Sequence, residues 1–400
     1  MKRELTYALS FLVLLPSSIL FFSFVYPLDR QFLSRFALLA SHIGEECDHS
    51  IGRWVWDETY PQQLYDENCP FLDPGFRCRQ NGRRDEGYRK WRWQPYGCDI
   101  PRFNASDLLE RGRNGRIVFA GDSVGRNQWE SFLCMLAKGV SNTSEIYEVN
   151  GNPITKHKGY LAMRFQEYNM TVEYYRTPFL CIIGRPPLNS SNQVRRTIKL
   201  DQLHWYSTRW VGADVLIFNS GHWWNSDKTI KSSTYFQEGG KVNMTMNVKE
   251  AFRRSLETWK SWALHNLDPR RSFVFFRGFS SVHYWNGTWN GGGLCDVETE
   301  PENDPKRIET EPFHNIFISR VVKQMQYGSW KVHFLNITYL SVLRKDGHPS
   351  KYREPGTPPG APEDCSHWCL PGVPDTWNEL LYAQLLSEKF GFNNSFPESG

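Results

Sequence analysis

Three residues in this sequence have the types and the order of an acyl-transfer site. Ser123 stands in "IVFAGDSVGRNQWE", where an apolar run breaks into Gly121-Asp122-Ser123 and a helical pattern begins. Asp364 and His367 lie near the other end of the chain, in the loop "PEDCSHWCLPG". A hydroxyl becomes a nucleophile when an imidazole takes its proton and a carboxylate fixes the tautomer of that imidazole. An Asp-x-x-His turn can supply the imidazole and the carboxylate from one segment. Cys365 and Cys369 flank the histidine, where disulfides would hold it in place. Taken singly, these signals are common, and Asp-x-x-His is more often a solvated loop. A phosphate loop is the poorer reading of Ser123, because the G-x-x-x-x-G-K-S/T spacing is absent.

The elements that must position these groups alternate along the chain. "RIVFAG" reads as a strand, and "NQWESFLCMLAK" as a helix with Trp129, Phe132, Leu133 and Leu136 on one side. "MTVEYYRTPFLC" reads as the next strand region, and "DVLIFNSG" and "SFVFFRGFS" as buried strands. Between those two, "VKEAFRRSLETWKSWALHNL" places Val248, Phe252, Leu256, Trp259 and Ala263 at helical spacing. A helix "HNIFISRVVKQMQ", a strand "KVHFLNITYL" and a last helix opened by Thr376-x-x-Glu379 complete the pattern. Continuous apolar strands separated by helices predict an α/β fold with a parallel sheet covered on both faces.

In such a sheet, function collects at the carboxyl ends of the strands. Ser123 and the stretch Asn219-Ser220-Gly221-His222 both follow strand ends, so Gly221, Asn219 and Arg126 are candidates for stabilising an oxyanion. Plainer readings stand beside three of these residues: Arg126 as an ion-pair partner, Asn219 as a loop cap, His222 as a packed core histidine. Asp122 reads as a brace for the turn.

Four hundred residues suit one large domain or two modest ones. Aromatic residues make up 15% of the chain, so some rings are expected at the surface, where they can stack on sugars, although a Trp-rich core is the alternative. A net charge of +4 is too mild to imply a nucleic-acid partner. Residues 7–27 carry no charge and as a helix would span about 30 Å, so they read as an uncleaved signal anchor. Residues 1–6 would then be a cytosolic tail and 28–46 a stem. Residues 47–110, rich in Cys, Arg and Trp, read as a small disulfide-tied lobe, and 111–400 as the α/β domain. The nine cysteines fit no zinc spacing, so no metal is expected. Sequons at Asn104, Asn142, Asn169, Asn189, Asn243, Asn286, Asn336 and Asn393 together with the cysteines suit an oxidising, glycosylating secretory lumen.

The stretches "CDHSIGRWVWDETYP", "KWRWQPYGCDIPRF", "GDSVGRNQWESFLCML", "FNSGHWW" and "DCSHWCLPGVPDTWNELLY" carry a resemblance that covers roughly residues 45–392. Over this span the chain resembles the plant trichome birefringence-like proteins of the PC-esterase class. The resemblance implies an SGNH/GDSL-esterase-like, three-layer α/β/α fold with a central parallel sheet. It implies a single-pass type II Golgi membrane protein that O-acetylates cell-wall polysaccharides in the lumen. Ser123 falls on the family's GDS nucleophile, and Asp364 and His367 fall on its DxxH pair. Where SGNH hydrolases carry a Gly-x-Asn-Asp block, this chain has Gly221-His222-Trp223-Trp224.

On this reading no cofactor is bound, and an acetyl donor is required, acetyl-CoA or another carrier. The partners are the polysaccharide acceptor, the Golgi membrane and a transporter of the donor. The wording around Ser123 and the DxxH loop looks closest to the branch acting on pectic rhamnogalacturonan I, with xylan second. An acetylesterase and a non-catalytic pectin-binding protein are the alternatives. The expected cystines are Cys47–Cys98, Cys69–Cys134, Cys78–Cys369 and Cys295–Cys365, with Cys181 free. The acceptor groove is expected where the basic lobe meets the sheet edge, with Arg83, Arg84 and Arg89 attracting a uronate-bearing chain.

Overall fold

Residues 47–304 and 310–391 are described by a computed structural model of the chain. The anchor and stem expected over residues 7–46, and the sequon at Asn393, lie outside the described residues. Among the described residues no helix is long and apolar enough to cross a membrane.

The strands in chain order are β1 (Gly52–Trp56), β2 (Trp91–Pro95), β3 (Arg116–Gly121), β4 (Ile146–Glu148), β5 (Tyr160–Phe165), β6 (Met170–Arg176) and β7 (Cys181–Gly184). After them come β8 (Arg196–Leu203), β9 (Val215–Phe218), β10 (Thr234–Glu238), β11 (Lys241–Asn243), β12 (Phe273–Arg277) and β13 (Lys331–Leu335). The helices are α1 (Ala105–Arg111), α2 (Ser123–Ala137), α3 (Ser207–Trp210), α4 (Val248–Asn266), α5 (Phe313–Met325), α6 (Thr338–Val342) and α7 (Val373–Ser387).

Successive strand side chains point to opposite faces, so a strand that is apolar throughout must be covered twice. In β3, Ile117 and Phe119 join one core cluster, and Val118 and Ala120 join the other. In β9, Val215 and Ile217 divide from Leu216 and Phe218 in the same way. Trp129 and Phe132 of α2 and Trp377 of α7 fill the first cluster, while Phe252 and Trp259 of α4 and Ile318 of α5 fill the second. Helices therefore cover both faces of the sheet.

The central sheet has seven strands in the order β13-β12-β9-β3-β6-β5-β4. Its first five strands run parallel, but β5 and β4 pair antiparallel at the edge, so the sheet is mixed rather than wholly parallel. The cause is the short β5–β6 connection, which turns through Asn169 at φ 52° and leaves no room for a crossover. "MTVEYYRTPFLC" is also not one strand. It breaks at Thr177-Pro178, and Cys181 opens β7 in a second, four-stranded sheet of order β11-β10-β8-β7. Proline has no N–H to give to a ladder, which is why the strand stops there.

The described part of the Cys/Arg/Trp-rich segment has no core of its own. Trp54 of β1, Trp93 of β2, Phe71 and Phe76 belong to the same cluster as α2 and α7. Trp54 and Trp93 meet edge-on at 5.4 Å, and the Trp54 indole donates to the Leu340 carbonyl at 2.9 Å. Disulfides Cys69–Cys134, Cys78–Cys369 and Cys295–Cys365 are formed. Cys47 and Cys98 are each disulfide-bonded, and Cys181 is a free, buried thiol. Six of the sequon asparagines are exposed, and Asn336 is half-buried.

Arg83 corrects the expected basic surface. It is 7% exposed, lies over the Tyr88 ring at 4.0 Å, and donates to the carbonyls of His348 (3.2 Å) and Asp346 (2.8 Å) and to Asp85 (2.9 Å). Among its sequence neighbours, Arg84 is exposed and Arg89 half-buried. Arg83→Glu would bury an unpaired charge against two carbonyl oxygens. It should therefore destabilise the fold by about 3 kcal/mol or more, read as a lowered Tm, rather than act selectively on acceptor binding.

Candidate active site

The turn after β3 is built so that Ser123 alone faces outward. Asp122 caps α2, its Oδ1 accepting from the N–H groups of Val124 (3.0 Å) and Gly125 (3.3 Å). Asn219, at the end of neighbouring β9, donates Nδ2–H to the same oxygen at 2.6 Å. A Cβ at Gly121 or Gly125 would stand 1.9 Å from Asn219 Oδ1, so both positions must be glycine for the turn to close. Every residue from Val124 to Leu136 is buried, whereas Ser123 is half-exposed.

The DxxH loop is brought to this turn by a clasp that sequence reasoning missed. Asn127, one helical turn after Ser123, donates to the Trp368 carbonyl at 3.1 Å and accepts from its N–H at 2.8 Å. The only available signal was its i,i+4 relation to Ser123, which places both on one helix face. Cys369 and Cys365 tether the loop on either side of His367 through their bridges to Cys78 and Cys295.

Within the loop, Asp364 Oδ1 accepts from the N–H groups of Ser366 (3.2 Å) and His367 (3.1 Å). Its Oδ2 lies 2.8 Å from His367 Nδ1, and His367 Nε2 lies 2.8 Å from Ser123 Oγ. Phe76 packs against the imidazole with ring centroids 5.6 Å apart, and His348 Nδ1 is 2.6 Å from the His367 carbonyl. Neither of those two supports was foreseen. With Nδ1 protonated toward Asp364, Nε2 is free to accept the Ser123 proton, the arrangement that makes a serine nucleophilic.

Electrostatics favour the same roles. Burial disfavours the Asp364 carboxylate, but the His367 charge and the hydrogen bonds from His367 outweigh it and hold the carboxyl far below its usual range. Burial likewise disfavours the imidazolium of His367, and the adjacent Asp364 charge and hydrogen bond reverse this and raise its pKa. A base must be neutral to accept a proton, so activity should rise with pH through an apparent pKa above the ordinary 6.5. Asp364→Asn removes the raising charge, so the residual activity should show its limb at lower pH. A pH profile of kcat/KM for both proteins checks this.

The oxyanion candidates separate. Arg126 is 3% exposed and pairs with Glu130 at 2.6 Å and with the Thr155 carbonyl, which is the ion-pair role set beside the oxyanion one. Asn219 spends its Nδ2 on Asp122. Among the described residues, no backbone hydrogen bond outside the helices and strands takes the N–H of Ser123 or of Gly221. Gly221 has Phe279 2.9 Å from where its Cβ would be, which keeps any side chain out. His222 stacks on Phe279 at 4.5 Å, and burial pushes its imidazole down to about 4.

A model of PC-esterase, the GDSL/SGNH-like acyl-esterase family found in Pmr5 and Cas1p, matches residues 100–384. The chain belongs to the PC-esterase family. The preceding residues 45–99 match the PMR5 N-terminal domain. Relatives of this PC-esterase are trichome birefringence-like proteins of Arabidopsis thaliana. Protein trichome birefringence-like 9 is 61% identical over 89% of this chain and 88% of its own length. Protein trichome birefringence-like 6 is 44% identical over 86% of the chain and 72% of its own length. Protein trichome birefringence-like 42 is 39% identical over 86% and 90%. The PC-esterase match contains Ser123, Asn219, Gly221, Asp364 and His367 together.

Proposed function

We propose that this PC-esterase is a cell-wall polysaccharide O-acetyltransferase acting through an acetyl-Ser123 intermediate. His367 Nε2 takes the Ser123 proton as Oγ attacks the acetyl carbonyl carbon, the bond from that carbon to the donor breaks, and His367 protonates the departing group. A sugar hydroxyl then gives its proton to His367 and attacks the acetyl-enzyme, and Ser123 leaves with that proton. The backbone N–H groups of Ser123 and Gly221 would receive the oxyanion in both halves. The observation that carries this reading is the hydrogen-bonded chain Ser123–His367–Asp364, with both contacts at 2.8 Å.

The donor is acetyl-CoA or another acetyl carrier, supplied across the Golgi membrane by a transporter, and the DxxH site works in the lumen on a single-pass type II protein. Disulfides and sequons support that compartment. The acceptor is pectic rhamnogalacturonan I, with xylan second. This ranking rests on the resemblance of the Ser123 and DxxH stretches, because burial of Arg83 removes part of the basic surface that favoured a uronate. Water as acceptor would make the same acetyl-enzyme an acetylesterase. The test is incubation with acetyl-CoA and a panel of deacetylated oligosaccharides, read by mass spectrometry. Free acetate without acetylated sugar would replace the transferase by the esterase. Absence of any acetyl-Ser123 peptide would remove both.

A further inference from the structure

A cleft of about 700 Å³ opens beside the Asp364–His367 turn, a volume that suits a saccharide rather than an acetyl group alone. Lys156, Tyr284, Trp289, Arg353 and Glu354 line it with Asp364, and no residue of the basic lobe does. Trp289 remains 38% exposed, and Trp285 on the same loop is 62% exposed. A single exposed ring is ordinary, but two on one loop beside a cleft offer an apolar surface to a ligand. This loop is not free to fold them away. The Cys295–Cys365 bridge ties it next to Asp364, and the Cys295 N–H donates to Glu363 at 2.8 Å.

The ring of Trp289 is held in place. Lys228 sets its ammonium 3.6 Å from the ring centroid, and the same ammonium lies 5.2 Å from the Trp223 ring, one residue after His222. Asp227 accepts from the Trp289 indole N–H at 3.4 Å and is paired with Lys231 at 2.8 Å. An aromatic ring ordered in advance loses little entropy when a ligand stacks on it. The nearby charges are already engaged: Lys156 pairs with Glu354, and Arg353 donates to the Pro362 carbonyl at 2.7 Å. With Glu354, Glu363 and Asp364 all on the wall, the cleft does not select for an anionic ring.

We infer that Trp289 is a stacking platform for a neutral pyranose ring of the acceptor chain, held by Lys228 and Asp227 at a fixed place beside the DxxH turn. This rests on the proposed acetyl transfer for its purpose, but not for its test. Binding of rhamnogalacturonan and xylan oligosaccharides is measured calorimetrically on the full chain, with Asn286→Gln in every protein so that no glycan on that loop competes. Trp289→Ala should weaken binding about tenfold, and Trp289→Phe should keep most of it. In turnover, Trp289→Ala should raise the acceptor KM by a similar factor and leave the burst with p-nitrophenyl acetate within about twofold. Binding by the wild type through Trp289 without any burst would sink the Ser123 chemistry and retain the platform. Equal affinity of Trp289→Ala and wild type for both oligosaccharides, or no saturable binding by either, overturns it.

Discussion

Ser123→Ala is expected to abolish acetyl transfer, by about a thousandfold or more, in a protein that folds as the wild type does. The hydroxyl is the one group in this turn that packing does not need. Asp122 provides the cap, Asn219 and the two glycines close the turn, and the helix is buried only from Val124 onward. Removing Oγ deletes a single contact, that to His367 Nε2. Stability should therefore change by less than about 1 kcal/mol, and an unchanged Tm beside lost turnover is the signature. Mass spectrometry of the peptide carrying residue 123 after incubation with acetyl donor provides the second readout. A well-folded Ser123→Ala protein that still turns over would remove Ser123 as the nucleophile.

How much of this could be read from the sequence depends on whether a feature is local. The apolar strands, Gly121-Asp122-Ser123 and Asp364-x-x-His367 each lie within one short segment, where residue type and spacing reflect the backbone directly. The second sheet is not visible as a second apolar run, because "MTVEYYRTPFLC" reads as one strand region and only Pro178, a stop signal within it, marks the break. Arg83 misled for a physical reason: a run of basic residues normally marks a solvated face, and only the fold supplies the carbonyls and the Tyr88 ring that bury this one. The Asn127–Trp368 clasp joins residues 241 positions apart, so no window along the chain contains it. Arg126 is legible only in part: its i,i+4 pair with Glu130 lies in one window, whereas Thr155 and Asp73 come from separate segments.

Asp364→Asn and His367→Ala should each cost orders of magnitude in turnover, and neither should add appreciably to the loss from Ser123→Ala. The argument is one of dependence. His367 acts on the Ser123 proton, and Asp364 acts on His367 through the contact at Nδ1, so neither has work to do once Oγ is gone. His367→Ala removes the base directly. Asp364→Asn leaves a group that can still accept at Nδ1–H through its carbonyl oxygen, but without the charge that raises the imidazole pKa. It should therefore be the milder of the two. Asp364 also receives the Ser366 and His367 backbone N–H groups, so its substitution carries a structural cost that His367→Ala does not. A Tm series across the single and double variants separates that cost from the chemistry. Multiplicative losses in Ser123→Ala/His367→Ala, measured against each single variant, would mean that the two residues act independently, and the hydrogen-bonded chain would then not be the working unit.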